Sequence, residues 1–154
     1  MSVVFTDSSV VIKRYVRETG SQWVKNIFTT IPTNQVFVAA ITQVEVISAI
    51  TRRGRGDARS QRLAASASAL FLTDYAADFE IIEVSQVLLE QAVQLALSHG
   101  LRGYDAVQLA AGVALNRLHI ESGLTPIIFV SADKELNAAA LAEGLAVDDP
   151  NAHP

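Results

Sequence analysis

Short apolar runs alternate along this chain with longer segments whose apolar positions recur at helical spacing. Residues 3–6, 36–39, 79–84, 127–130 and 145–147 are rich in Val, Ile and Phe and mostly apolar at consecutive positions, as strands covered on both faces are. Between them the spacing predicts helices over residues 9–17, 21–30, 43–53, 58–77, 86–99, 105–119 and 134–142. This alternation predicts a three-layer α/β/α sandwich around a central, mostly parallel sheet of four to five strands, joined by right-handed crossovers. The stretch from Asp105 to Leu118 is apolar nearly all the way round. It reads as a buried central helix in which Gly112 permits close packing, since glycine is otherwise unfavourable there by about 1 kcal/mol. In an open parallel sheet, ligands sit beyond the carboxyl ends of the strands. Residues that follow each strand therefore gather at one edge, and the chemistry is sought there.

Composition narrows the classes. The 154 residues suit one domain, taken as residues 1–154. The absence of cysteine excludes a disulfide scaffold, a thiolate zinc site and a cysteine nucleophile. The longest apolar runs, at 36–41 and 109–115, fall far short of the ~18 residues a membrane span needs. The opening, Met1 to Asp7, has no basic region and carries an acid where a leader stays apolar; a cytoplasmic chain without membrane contact is expected. With 16 acidic side chains against 12 basic ones and a net charge of −4, a protein that coats nucleic acid by charge alone is disfavoured.

Four acids stand at the predicted edge. Asp7 ends the first strand, and Glu45 lies in the first turn after the second. Asp105 opens the apolar helix, and Asp133 follows the strand at 127–130. Each has a structural alternative. Asp7 and Asp133 fit helix N-caps, with Ser131 as another cap for the last helix. Thr42 and Glu45 fit a capping box, and Asp105 complements a helix dipole. Together, however, four carboxylates at one edge repel and raise each other's pKa unless a cation compensates. Hard divalent ions such as Mg²⁺ or Mn²⁺ suit an all-oxygen set. His99, His119 and His153 are poorly placed for zinc. An acidic metal site without a histidine base suits hydrolysis of phosphodiesters.

The motifs around these acids resemble the PIN-domain family, and within it the VapC ribonuclease toxins of toxin–antitoxin modules. The resemblance rests on Phe5-Thr6-Asp7-Ser8-Ser9 continuing to Tyr15-Val16 and Glu18-Thr19-Gly20-Ser21, and on Thr42-Gln43-Val44-Glu45-Val46. It rests equally on Leu101-Arg102-Gly103-Tyr104-Asp105-Ala106 and on Phe129-Val130-Ser131-Ala132-Asp133. These stand in family order and span about residues 3–148. The resemblance implies that Asp7, Glu45, Asp105 and Asp133 hold Mg²⁺ or Mn²⁺, that Ser131 orients Asp133 or the ion's water, and that Ser8 plays a similar part beside Asp7. It also implies an RNA substrate, a VapB-type antitoxin that covers the site, often with a basic side chain against the acids, and a homodimer. Gln108 stands where the family commonly has histidine, and Ser8 where it commonly has threonine; neither change removes an acid.

The remaining features are less directed. Arg52, Arg53, Arg55, Arg59 and Arg62 form the one basic cluster, either a solvated loop and helix start or a patch that tracks RNA phosphates. Phe28 has core-like spacing. Tyr15 and Trp23 fit either packing or a partner face, and Tyr104 either packs or stacks on a base. A catalytically inactive PIN-like module that binds RNA or protein is the competing reading. A phosphotransfer receiver lacks its separate lysine, because Lys134 adjoins an acid, and a haloacid-dehalogenase-like phosphatase would need an acid where Ser9 stands.

Overall fold

The computed structural model describes residues 2–29 and 34–154; the predicted helix end at Thr30 lies outside them. In chain order the elements are β1 (Ser2–Thr6), α1 (Ser8–Tyr15), α2 (Ser21–Thr29), β2 (Asn34–Ala39), α3 (Thr42–Arg53), α4 (Ala58–Asp78) and β3 (Glu80–Ile82). They continue with α5 (Gln86–His99), α6 (Gly103–Glu121), β4 (Ile128–Val130), α7 (Lys134–Ala142), β5 (Ala146–Asp148) and a 3-10 turn at Pro150–Ala152. All five strands pair in parallel, in the order β3-β2-β1-β4-β5.

Alternation along the strands divides the core into two layers. Val3 and Phe5 of β1 and Phe129 of β4 pack with Leu88, Leu95, Leu109 and Leu136 from α5, α6 and α7. Val4, Val36, Val38 and Val130 pack on the other face with Val10, Val24, Ile50 and Phe71 from α1 to α4. The chain thus winds outward from β1 to β3 under one helical layer. It then crosses back over the other face to β4 and β5. The direction of winding reverses between β1 and β4, which is where an open parallel sheet leaves a crevice at its carboxyl edge.

Gly112 has the role expected of it. A Cβ there would fall 2.6 Å from Cδ2 of Phe129, whose ring stacks on Phe5 at 5.3 Å between centroids. Helix α6 is buried over Ala106 to Gly112 and at Leu115 and His119, but Leu118 and Ile120 near its end are exposed, so burial all round belongs to its first turns and only one face stays covered beyond them. Helix α3 begins at Thr42 without a side-chain cap; the capping box between Thr42 and Glu45 does not form, and both side chains serve elsewhere. Among the described residues no helix is long and apolar enough to cross a membrane.

Candidate active site

Asp7 is the N-cap of α1 and more than that. Its Oδ1 accepts hydrogen bonds from the Val10 N–H at 3.2 Å and from the Ser9 hydroxyl at 2.6 Å. Its Oδ2 accepts from the Ser131 hydroxyl at 2.7 Å. The Asp7 N–H in turn donates to the Val130 carbonyl at 3.2 Å. The two serines are themselves fixed across the crevice. The Ala132 N–H donates to Ser9 Oγ and the Asp133 N–H to Ser131 Oγ, each at 3.0 Å, while the Asn137 amide holds the Ser131 carbonyl at 2.7 Å. The ends of β1 and β4 are therefore joined through one carboxylate whose two oxygens are both oriented. Burial pushes the Asp7 carboxyl up to about 6; the three hydrogen bonds pull against it, and the charge of Glu45 adds to the rise.

Glu45 points from the first turn of α3 toward the same place. Gln108, one turn along α6 from Asp105 and fully buried, donates its amide to Glu45 Oε1 at 2.7 Å and to the Thr42 hydroxyl at 2.9 Å. Burial raises the Glu45 pKa and the charge of Asp105 adds to it, while hydrogen bonds from Gln108 and Ser8 oppose. Asp105, in the first turn of α6, is raised by burial; Arg102 opposes this, and the charges of Asp133 and Glu135 reinforce it. Asp133 caps α7 by accepting from the Leu136 N–H at 3.0 Å.

The four acids line one cleft of about 450 Å³ together with Ser8, Ser9, Lys13, Glu18, Arg53, Arg102 and Tyr104. Among the described residues no three carboxylate or imidazole groups converge closely enough to share one ion. The donor set nevertheless fits a hard cation. It offers only oxygens, Asp7 is already oriented, and a cation already stands between two of the acids: Arg102 donates from Nε to Asp105 Oδ2 at 3.2 Å and from Nη2 to Asp133 Oδ2 at 3.4 Å. The three histidines are engaged elsewhere, with Glu143, the Thr125 carbonyl and Asp148.

The family model for the PIN domain matches residues 4–141. The chain is a PIN-domain protein. No curated protein matches it in sequence. Its fold is similar to that of the FitAB complex bound to an IR36 DNA fragment (16% identity, 96% of this chain and 94% of that one, TM-score 0.65). It is also similar to VapC20 of Mycobacterium tuberculosis, a toxin that cleaves the sarcin–ricin loop (20% identity, 88% and 94%, TM-score 0.61). A third relative in fold is VapBC2 of Rickettsia felis, bound to a DNA fragment from its promoter (12% identity, 96% and 98%, TM-score 0.62).

In this PIN domain Ser9, not Ser8, holds Asp7, and Ser8 acts instead on Glu45. Ser131 serves Asp7 and Asp133 together. The arginine cluster divides. Arg53 pairs with Glu18, which also takes Lys13 at 3.2 Å, and so forms the far wall of the acidic cleft. Arg52 lines an adjoining pocket beside Tyr104, and Arg55 is exposed in the loop beyond α3. Tyr15 is committed to packing, donating to Asp74 at 2.9 Å and meeting Phe71 edge-on. Phe28 is in the core, and Trp23 stacks on His153 at 4.3 Å.

Proposed function

We propose that this PIN domain is a metal-dependent endoribonuclease of the VapC type, held in check by a cognate VapB-type antitoxin. The observation that carries the reading is the row of four carboxylates in one cleft, three of them with pKa values raised by burial and by one another. Asp7, Glu45, Asp105 and Asp133 would hold Mg²⁺ or Mn²⁺. Such an ion neutralises phosphate charge and lowers the pKa of the attacking water. The chain's own contribution is positional. Ser9 and Ser131 fix both oxygens of Asp7, Gln108 sets Glu45, and the cap to α7 sets Asp133. Arg102, which bridges Asp105 and Asp133, would be free to meet the substrate phosphate if those acids held an ion instead.

RNA is supported as the substrate by the cleaving activity of the similar VapC20, and an antitoxin partner by the toxin–antitoxin complexes that share the fold. Arg52 and Arg53 line the cleft and its neighbouring pocket as candidate RNA contacts, and Arg55 is a further candidate in the exposed loop just beyond them. A homodimer is supported by exposed apolar side chains on α5 and α6, among them Val93, Leu97, Leu118 and Ile120, which a monomer would leave in water.

The test compares the wild type with Asp7→Asn on short single-stranded RNA in Mg²⁺, Mn²⁺ or EDTA. Cleavage only by the wild type, and only with the ion, is expected. Cutting that persists in EDTA, or is undiminished in Asp7→Asn, overturns the reading; RNA binding without any cutting favours the inactive module.

A further inference from the structure

We infer that the pocket between α3 and Tyr104 is a subsite for the base of a nucleotide flanking the cleaved phosphate, with Tyr104 as its stacking face and Arg52 as its phosphate contact. The inference deepens the nuclease reading and rests on it for the phosphate at the acids. The pocket, about 260 Å³, is lined by Val44, Glu45, Ser48, Ala49, Arg52 and Tyr104. It shares Glu45, Ala49 and Tyr104 with the acidic cleft, so the two are one continuous surface.

Its chemistry is that of a base-binding site. Tyr104 is 62% exposed and Val44 67% exposed; an aromatic ring this open beside an acidic centre has no packing role to explain it. Val44, Ser48 and Ala49 come from consecutive turns of α3 and give an apolar floor with one hydroxyl. Any base offers a π-face to such a ring, which makes stacking tolerant of sequence. Arg52 supplies the charge that a backbone phosphate requires, and it lies seven positions after Glu45, roughly 10 Å along the helix axis at 1.5 Å per residue. A strand whose phosphate meets the acids at Glu45 can thus lay its next base on Tyr104 and bring a following phosphate to Arg52. The neighbouring Arg53 is engaged with Glu18 on the cleft side, so adjacent arginines face different stretches of the strand.

The test is binding of fluorescein-labelled short single-stranded RNA to the full chain in EDTA, read by anisotropy, with an abasic ribose moved along the strand. Tyr104→Leu is expected to weaken binding about 5- to 150-fold, the range that stacking of one base carries, whereas Tyr104→Trp retains wild-type affinity. At one abasic position the wild type loses affinity and Tyr104→Leu loses no more. Arg52→Ala reduces the slope of log affinity against log salt by roughly 0.7, the value for one single-strand phosphate. Equal melting curves for the variants exclude unfolding. Tyr104→Leu binding within twofold of wild type, or additive losses at every abasic position, overturns the subsite. If it fails while the wild type still cuts RNA in Mg²⁺, the nuclease reading stands alone. If the coupling is found and nothing is cut, the subsite survives and the nuclease reading does not.

Discussion

The two sides of the acidic cleft are built differently. Asp7 is buried, accepts three hydrogen bonds, and is locked between two strand ends. Asp105 and Asp133 are only partly covered, and Arg102, whose side chain is 78% exposed, bridges them from solvent. One carboxylate is pre-positioned by hydrogen bonds at a cost in desolvation; Asp105 is also desolvated, but its charge and that of Asp133 are balanced by an exposed arginine. The contrast teaches where specificity and adjustability reside. Geometry is imposed at Asp7, whereas charge is exchanged at Asp105 and Asp133.

Breaking the fixed side should have the largest effect. Asp7→Asn is expected to lower RNA cleavage about 100- to 1,000-fold, the loss typical when one preorganised electrostatic group is removed, measured as single-turnover rates in saturating Mg²⁺. Loosening that side without removing the charge should cost less. Ser131→Ala or Ser9→Ala is expected to reduce activity or ion affinity about 10- to 100-fold, as outer partners of metal-holding groups do, readable by titrating cleavage against Mg²⁺.

The same side should betray itself in the stability of the ion-free protein. An Asp7 carboxyl raised to about 6 from its ordinary 3.8 binds its proton more tightly folded than unfolded. Its stabilising share is therefore complete below about pH 4 and lost as the pH climbs through 6. In EDTA above pH 6, Asp7→Asn should then be more stable than wild type by about 1–2 kcal/mol, seen as a higher Tm, and adding Mg²⁺ should reverse the order by stabilising the wild type more. The adjustable side should give the smallest response. Because exposed ion pairs contribute about 0–1 kcal/mol, Arg102→Ala should leave stability unchanged and tighten Mg²⁺ binding by about fivefold or less in isothermal titration. A weaker affinity would show that Arg102 supports the acids and does not compete for them.

Much of this was legible in the order of residues. Strand-forming runs and helical spacing located the five strands and seven helices of the described residues, because a sheet covered on both faces demands consecutive apolar positions and each covering helix its own apolar stripe. Boundaries moved where pairing sets them: β3 is confined to Glu80–Ile82, opposite Phe37 to Ala39, although the apolar pattern runs from 79 to 84. The four acids were visible because they follow strands. Of their supporting side chains Ser131 was legible beside Asp133 through the family resemblance, but Ser9 and the contact of Gln108 were not, since support depends on which way a side chain turns in space. Ser8 and Ser9 are neighbours that both line the cleft, yet Ser9 holds Asp7 whereas Ser8 reaches Glu45. Gln108 was seen as a departure from a family pattern, while its contact with Glu45 joins residues 63 positions apart. A polar side chain one turn after Asp105 on an otherwise apolar helix was the available signal. Arg52 and Arg53 looked like one basic patch, but successive helical positions differ by about 100° and so serve different pockets.

The adjacency of β1 and β4 has a consequence for the life of the chain. The hydrogen bond from Ser131 to Asp7 spans 124 positions, and the intervening segment carries β2, β3 and six helices. During synthesis Asp7 emerges first, and its partner Ser131 is added only after those elements have been made. No shorter nascent chain contains the cleft. On the proposed reading, the nuclease would thus acquire its activity only after both sides of the cleft had been made.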